Sequence, residues 1–235
     1  MLKIVDSAVP VACWSCSVAH NDLTLFCPHC SKIQPAAAGD YFQVFGLDRG
    51  FQVDLDALER EFHRLSRKLH PDRFARATEQ EREWSLADTA LLNDAYRTLK
   101  DPLHRTEYLL KLEGAEIGEE HSGKDRKDPS RAPADLLEEV FELNMQLEEM
   151  RMAHKMGEED PQLQADLQRA QQKFEALLSA VDEELRAQWQ VWDAGDAPAR
   201  QAVQKTMVAL LDRRRYLSNL VRDVTETLAG SPLGA

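Results

Sequence analysis

Cysteine appears only four times in this 235-residue chain and never after residue 30; glycine and proline number ten each, and aromatic side chains make up 7%. Each scarcity excludes something. So little glycine leaves no room for an extended glycine-rich region. No run approaches the roughly 18 consecutive apolar residues that span a bilayer. The start, Met1-Leu2-Lys3-Ile4-Val5-Asp6, lacks the positive-then-apolar pattern of a secretory signal. Nor is it Arg-rich and acid-poor like a mitochondrial transit peptide. The expected setting is therefore a bacterial-type cytoplasm, with the mature form of a mitochondrial matrix protein as the alternative. Positive charge is also short: 29 Lys and Arg against 41 Asp and Glu give a formal net charge of −12. The whole chain should repel nucleic acid and anionic membrane, so any basic contact must be a local patch.

What is present suits a soluble globular protein, 43% apolar and 30% charged, long enough for two compact units plus something minor. The cysteines form two pairs, Cys13-Trp14-Ser15-Cys16 and Cys27-Pro28-His29-Cys30, separated by ten residues. A two-residue gap turns both thiolates of a pair toward one point, and two such knuckles supply the four ligands of tetrahedral zinc. The ten intervening residues are expected to form a hairpin. About forty residues bury too little apolar surface to fold alone, so metal would supply the folding energy. The rival readings are structural disulfides or redox work, since Cys-Pro-His-Cys also serves thioredoxin-fold oxidases, but no strand–helix–strand pattern surrounds it. His20 and His29 read as solvated loop residues. A closed four-sulfur site leaves no position for substrate, so catalysis is not expected of it.

After the linker from Pro35 to Gly39, Asp40 to Leu47 reads as a short helix closed by Gly46. Leu55, Leu58, Phe62, Leu65 and Leu69 then recur at three- and four-residue steps, one apolar face of a helix opening near Asp54. Arg60, Arg64, Arg67 and Lys68 lie off that stripe, a basic face on an acidic protein, suited either to a negative partner or to plain solvation. The helix must end at His70-Pro71-Asp72, because proline disfavours helical geometry at the preceding residue and has no amide to donate. A second helix is expected over Glu79 to Lys100, with Leu86, Ala90, Ala95 and Leu99 facing inward, stopping before Asp101-Pro102.

From Glu113 to Ala134 the sequence turns polar, a loop or linker. Three helices are expected beyond it, over about 134–156, 161–192 and 198–228, packed as a bundle. The middle one keeps a three–four alternation through Leu163, Leu167, Ala170, Phe174, Leu177, Val181 and Leu185. The first carries Leu136, Leu137, Val140, Phe141, Leu143, Met145 and Leu147, more apolar positions than one core-facing stripe needs. Some should be exposed, ringed by glutamates, as a partner surface.

In order and spacing, Tyr41 to Leu47, the basic helix, His70-Pro71-Asp72 and Leu92 to Pro102 resemble a J-domain. Leu103 to Gly114 departs from the usual J-domain ending and is similar to the Leu-rich fourth helix of the HscB family, whose zinc-bearing members begin with two Cys pairs. The resemblance implies a mainly α fold: a small zinc-binding tetracysteine hairpin (1–38), a four-helix J-domain (39–114), a linker (115–133) and a C-terminal three-helix bundle (134–235). It implies a co-chaperone for iron–sulfur cluster biogenesis that delivers an IscU-type scaffold protein to a DnaK/HscA-type chaperone and stimulates its ATPase, without being an enzyme. By the same likeness, zinc would sit on Cys13, Cys16, Cys27 and Cys30. The chaperone would meet His70, Pro71, Asp72, Arg60, Arg64, Arg67 and Lys68, and the scaffold Leu137, Phe141, Glu142, Met145, Arg215 and Tyr216. Glu138 replaces the Met usual after the first Leu of that patch. A general J-protein for unfolded clients is the alternative, though the chain has no glycine-rich or β client-binding region. A nucleic-acid-binding zinc module lacks basic support, with only Lys3 and Lys32 near the cysteines.

Overall fold

A computed structural model describes residues 11–20, 24–35, 39–117 and 133–230. The chain divides into two compact units, Met1–Glu113 and Gly114–Ala235. Among the described residues no helix is long and apolar enough to cross a membrane. Most of the expected linker lies outside the described residues.

The first unit opens with strands β1 (Val11–Ala12) and β2 (Ala19–His20), paired antiparallel with Val11 opposite His20. This corrects the expected hairpin. The strands bracket the first Cys pair rather than joining the two pairs, and a bridge between Phe26 and Ile33 brackets the second in the same way. Helix α1 (Tyr41–Val44) follows, boxed at its start by reciprocal bonds between Asp40 and Gln43. Helix α2 (Leu55–Leu69) is capped by Asp54, and α3 (Glu79–Lys100) by the Thr78–Glu81 capping box. Helix α4 (Pro102–Leu112) starts on Asp101, whose carboxylate accepts from the Leu103 and His104 amides.

Helices α2 and α3 run antiparallel: Phe62 stacks on Tyr96 at 4.1 Å, while near the corner the Ser85 hydroxyl donates to the Leu69 carbonyl at 2.8 Å. The buried face of α3 is Glu81, Ser85, Asp88, Leu92, Ala95 and Leu99. Expecting Leu86 inward was wrong, for it is 64% exposed and Ala90 is exposed too. The three–four stripe does run through the helix, but its first half is polar, which hides it from a hydrophobic pattern.

The second unit is an up-down-up bundle. A short 3-10 turn (Ala134–Leu136) leads into α5 (Leu137–Met156), which ends on Gly157 at φ 70°, a left-handed geometry that glycine adopts without strain. Asp160 and Asp196 cap α6 (Pro161–Ala194) and α7 (Ala197–Leu228), each with proline in the first turn. Arg200 reaches the Trp192 carbonyl, Arg214 meets Asp182 and Gln171 meets Thr225, so α7 returns along α6 from a tight turn. Leu136, Val140, Leu143, Leu147 and Met150 step by four and three along α5, and Leu167, Phe174 and Val181 by seven along α6, the seam of left-handed helix packing.

Asp88 is fully buried, and neither carboxylate oxygen has a hydrogen-bond partner. Burial lifts its pKa from 3.8 to about 7. A carboxyl whose folded pKa is raised is harmless below its unfolded value and costs stability as pH climbs toward the folded one. Thermal melts of Asp88→Asn against wild type should therefore coincide near pH 4. They should separate in the variant's favour up to pH 8, by at most about 4 kcal/mol. A pH-independent difference would refute the assignment.

Candidate functional site: a four-sulfur knot, a rigid corner and an apolar helix face

The two cysteine knuckles are copies of one turn. The Cys13 amide donates to Val18 and the Ser17 amide back to Cys13; the Cys27 amide donates to Lys32 and the Ser31 amide back to Cys27. Ser17 and Ser31 both take left-handed backbone, at φ 57° and 58°. All four Sγ atoms lie within 4.8 Å of one another, so the residues expected as ligands do converge and could hold a metal ion. The closest approaches are between knuckles, Cys13 to Cys30 at 3.6 Å and Cys16 to Cys27 at 3.8 Å. A tetrahedral ion with bonds of about 2.3 Å sets its sulfurs about 3.8 Å apart. Disulfide sulfurs sit near 2 Å, and all four cysteines are free.

Donors face the sulfurs. The Ser15 amide and the Gln34 side-chain amide each reach Cys13 Sγ at 3.4 Å. Burial raises the Cys13 thiol, but the Cys16 and Ser15 amides and the neighbouring thiols outweigh it and hold the group down at about 6. At Cys16 the Val18 amide pulls downward, while burial and the three other sulfurs push the thiol up to about 12. Four thiols this close resist simultaneous ionisation, and a cation at their centre removes that conflict. His29 is exposed, as expected of a loop residue; the side chain of His20 lies outside the description.

At the corner, α2 stops at Leu69 and His70 turns to ψ 131°. Residues Pro71–Phe74 form one 3-10 turn, in which the Asp72 amide donates to His70 Nδ1 at 3.3 Å. His70, Pro71 and Asp72 are all exposed, the Asp72 side chain by 90%. Asp72 does not cap the next helix; Thr78 does that. Arg60, Arg64, Arg67 and Lys68 are exposed on α2 as the spacing predicted. Arg64 is paired with Glu61, which softens the basic face at that point.

On α5 the structure sorts core from surface. Leu136, Val140, Leu143 and Leu147 are buried, whereas Leu137, Phe141 and Met145 are exposed by 46%, 66% and 59%, with Glu142 exposed beside them. Met152 and Met156 continue the same face and are exposed too, an extension the sequence reading missed although both follow at four- and seven-residue steps. Arg215 and Tyr216 are half-buried on α7. Just before them Arg213 forks onto Asp135 at 2.8 and 2.9 Å, tying α7 to the foot of α5. Sequence reasoning did not single out that pair, since an ion pair 78 residues apart leaves no local signal.

The DnaJ domain family model matches residues 40–108. The chain is 32% identical over 225 residues to the mouse (Mus musculus) iron–sulfur cluster co-chaperone protein HscB, covering 94% of this chain and 83% of that relative. It is similar to the crystal structure of human co-chaperone protein HscB, with a TM-score of 0.62 and 28% identity over 92% of this chain and 97% of that one. It also resembles chaperone HscB from Vibrio cholerae, with a TM-score of 0.54 and 29% identity, covering 80% of this chain and 96% of that one.

Elemental analysis of purified protein should find about one metal ion per chain, lost on Cys27→Ser, because three sulfurs no longer close the tetrahedron. Metal-free protein with two intact disulfides is the opposite result.

Proposed function

Because the chain belongs to the HscB family of iron–sulfur cluster co-chaperones, we propose that it presents an IscU-type scaffold protein to a DnaK/HscA-type chaperone and stimulates that partner's ATPase, contributing no catalytic group of its own. The observation that carries this is the pairing of two exposed surfaces on two separate units. One is a constrained polar corner at the end of a basic helix; the other is an apolar helix face ringed by glutamates.

His70, Pro71 and Asp72 form the point of the chaperone contact, with Arg60, Arg64, Arg67 and Lys68 as its basic flank. The basic side chains of α2, two of them in its last turn, suit an acidic partner surface and raise the rate of encounter. Leu137, Phe141 and Met145 are the apolar anchors for the scaffold, Glu142 their polar neighbour, and Arg215 and Tyr216 the contribution from α7. The metal of this reading is zinc, held by Cys13, Cys16, Cys27 and Cys30: the ligand set is all thiolate, two of the sulfur spacings, 3.6 and 3.8 Å, suit a closed tetrahedron, and the ion's part is structural.

His70→Gln should abolish stimulation of the chaperone ATPase in single-turnover assays while leaving circular dichroism and melting unchanged, since the side chain is 59% exposed. Retained stimulation would remove the corner from the mechanism.

Replacing Leu137, Phe141 and Met145 together by alanine should weaken scaffold binding about a hundredfold, at roughly 1 kcal/mol for each exposed anchor. Basal chaperone stimulation should be spared. Titration calorimetry reads the affinity; undiminished binding would mean that the scaffold sits elsewhere.

A further inference from the structure

The second knuckle does more than hold two sulfurs. Phe26, directly before Cys27, lies under Lys68 of the basic helix, with the ammonium 5.5 Å from the ring centroid. Lys32, two residues after Cys30, reaches Glu81 at 2.8 Å. That carboxylate is only 5% exposed, and it also accepts from the Thr78 amide and hydroxyl in the capping box that starts α3. Trp14 of the first knuckle meets Trp84 edge-on at 5.6 Å.

Two clefts open where the knuckle meets the helices, and Phe26 lines both. One, of about 370 Å³, runs past Arg64 and Lys68. The other, of about 350 Å³, runs past Lys32, Lys68, Arg73 and Phe74 beside the corner. The charged residues of the lining are basic apart from Glu61 and Glu81, each already paired with a cation of the same wall. Such a surface fits an acidic partner. The knuckle that completes it has little core of its own, with Leu25, Cys27, Ile33 and Gln34 buried. A metal ion on the four sulfurs would supply the cross-link that so small a core lacks.

We propose that the second cysteine knuckle forms one wall of the chaperone-docking face, with Phe26 and Lys32 holding Lys68 and the start of α3 in place, so that occupancy of the four-sulfur site tunes how tightly the chaperone binds. This rests on the docking face assigned above. The occupant is an acidic surface of the chaperone, and the wall acts on affinity, leaving the His-Pro-Asp corner to act on hydrolysis.

The test uses full-length, metal-loaded protein carrying Phe26→Ala or Lys32→Gln, with a purified DnaK-class ATPase. The concentration giving half-maximal stimulation should rise about tenfold. Maximal stimulation should stay within about twofold, as expected when binding alone is weakened. Metal content and scaffold affinity should not change, and Phe26→Tyr, which keeps a ring under Lys68, should behave as wild type. Chelating the metal should lower chaperone affinity in titration calorimetry while scaffold affinity holds. If Phe26→Ala loses metal, Lys32→Gln decides alone, provided it keeps its metal, since that side chain is half exposed and is not one of the four ligands. Unchanged half-saturation in a metal-loaded variant overturns the inference, as does a fall in maximal stimulation without a shift in half-saturation. His70→Gln in parallel separates the two levels: if it stimulates normally, the docking face itself is overturned.

Discussion

Everything in the first unit turns on a proline that cannot continue a helix. Pro71 has no amide hydrogen and forces His70 out of helical geometry, so α2 must end just after Arg67 and Lys68. The chain then has to reverse within one 3-10 turn. It can do so because α3 is already anchored, by the Ser85 bond to the Leu69 carbonyl at the end of α2 and by the Phe62–Tyr96 stack further down. The corner is therefore exposed without being loose. Pro71 shapes the turn, while the side chains of His70 and Asp72 stand in solvent and add little to the packing beneath.

The second unit solves a different problem. A helix in a three-helix bundle has one face to bury, and α5 buries Leu136, Val140, Leu143, Leu147 and Met150. It then carries a second apolar face toward solvent. Exposed apolar area of this kind is costly in a free protein and points to a partner. This surface and the basic corner lie on different units and share no side chains.

The local features were the legible ones. Proline at 71, the Asp-Pro helix starts at 101 and 160, and the paired cysteines each act through neighbours in sequence, so their consequences could be read directly. The heptad stripe of α6 was legible because its core positions are uniformly apolar. Two things were not. The inward face of α3 passes through Ser85 and Asp88, polar residues buried by packing, and the nearest leucine, Leu86, faces solvent. The division of α5 between core and surface depends on where α6 and α7 lie, which no residue of α5 encodes. The cysteine hairpin was misplaced for a related reason: spacing gives the ligands but not which strands pair, and the amide bonds that close each knuckle put the strands around it.

The links that hold the bundle also set an order of events. Along α6 and α7 the paired residues are 8, 32 and 54 positions apart, growing steadily from the turn. Each step closes only a small additional loop and adds little entropic cost, so that pair can zip from its hairpin. The seam between α5 and α7 is tied across 76 and 78 positions, by Arg151 to Thr227 and Arg213 to Asp135. Such closure comes late in folding and opens first in the native state, so amide protons along that seam should exchange ahead of those in the α6–α7 hairpin. The helix that carries the exposed apolar face is thus the one whose packing against α7 can give most readily.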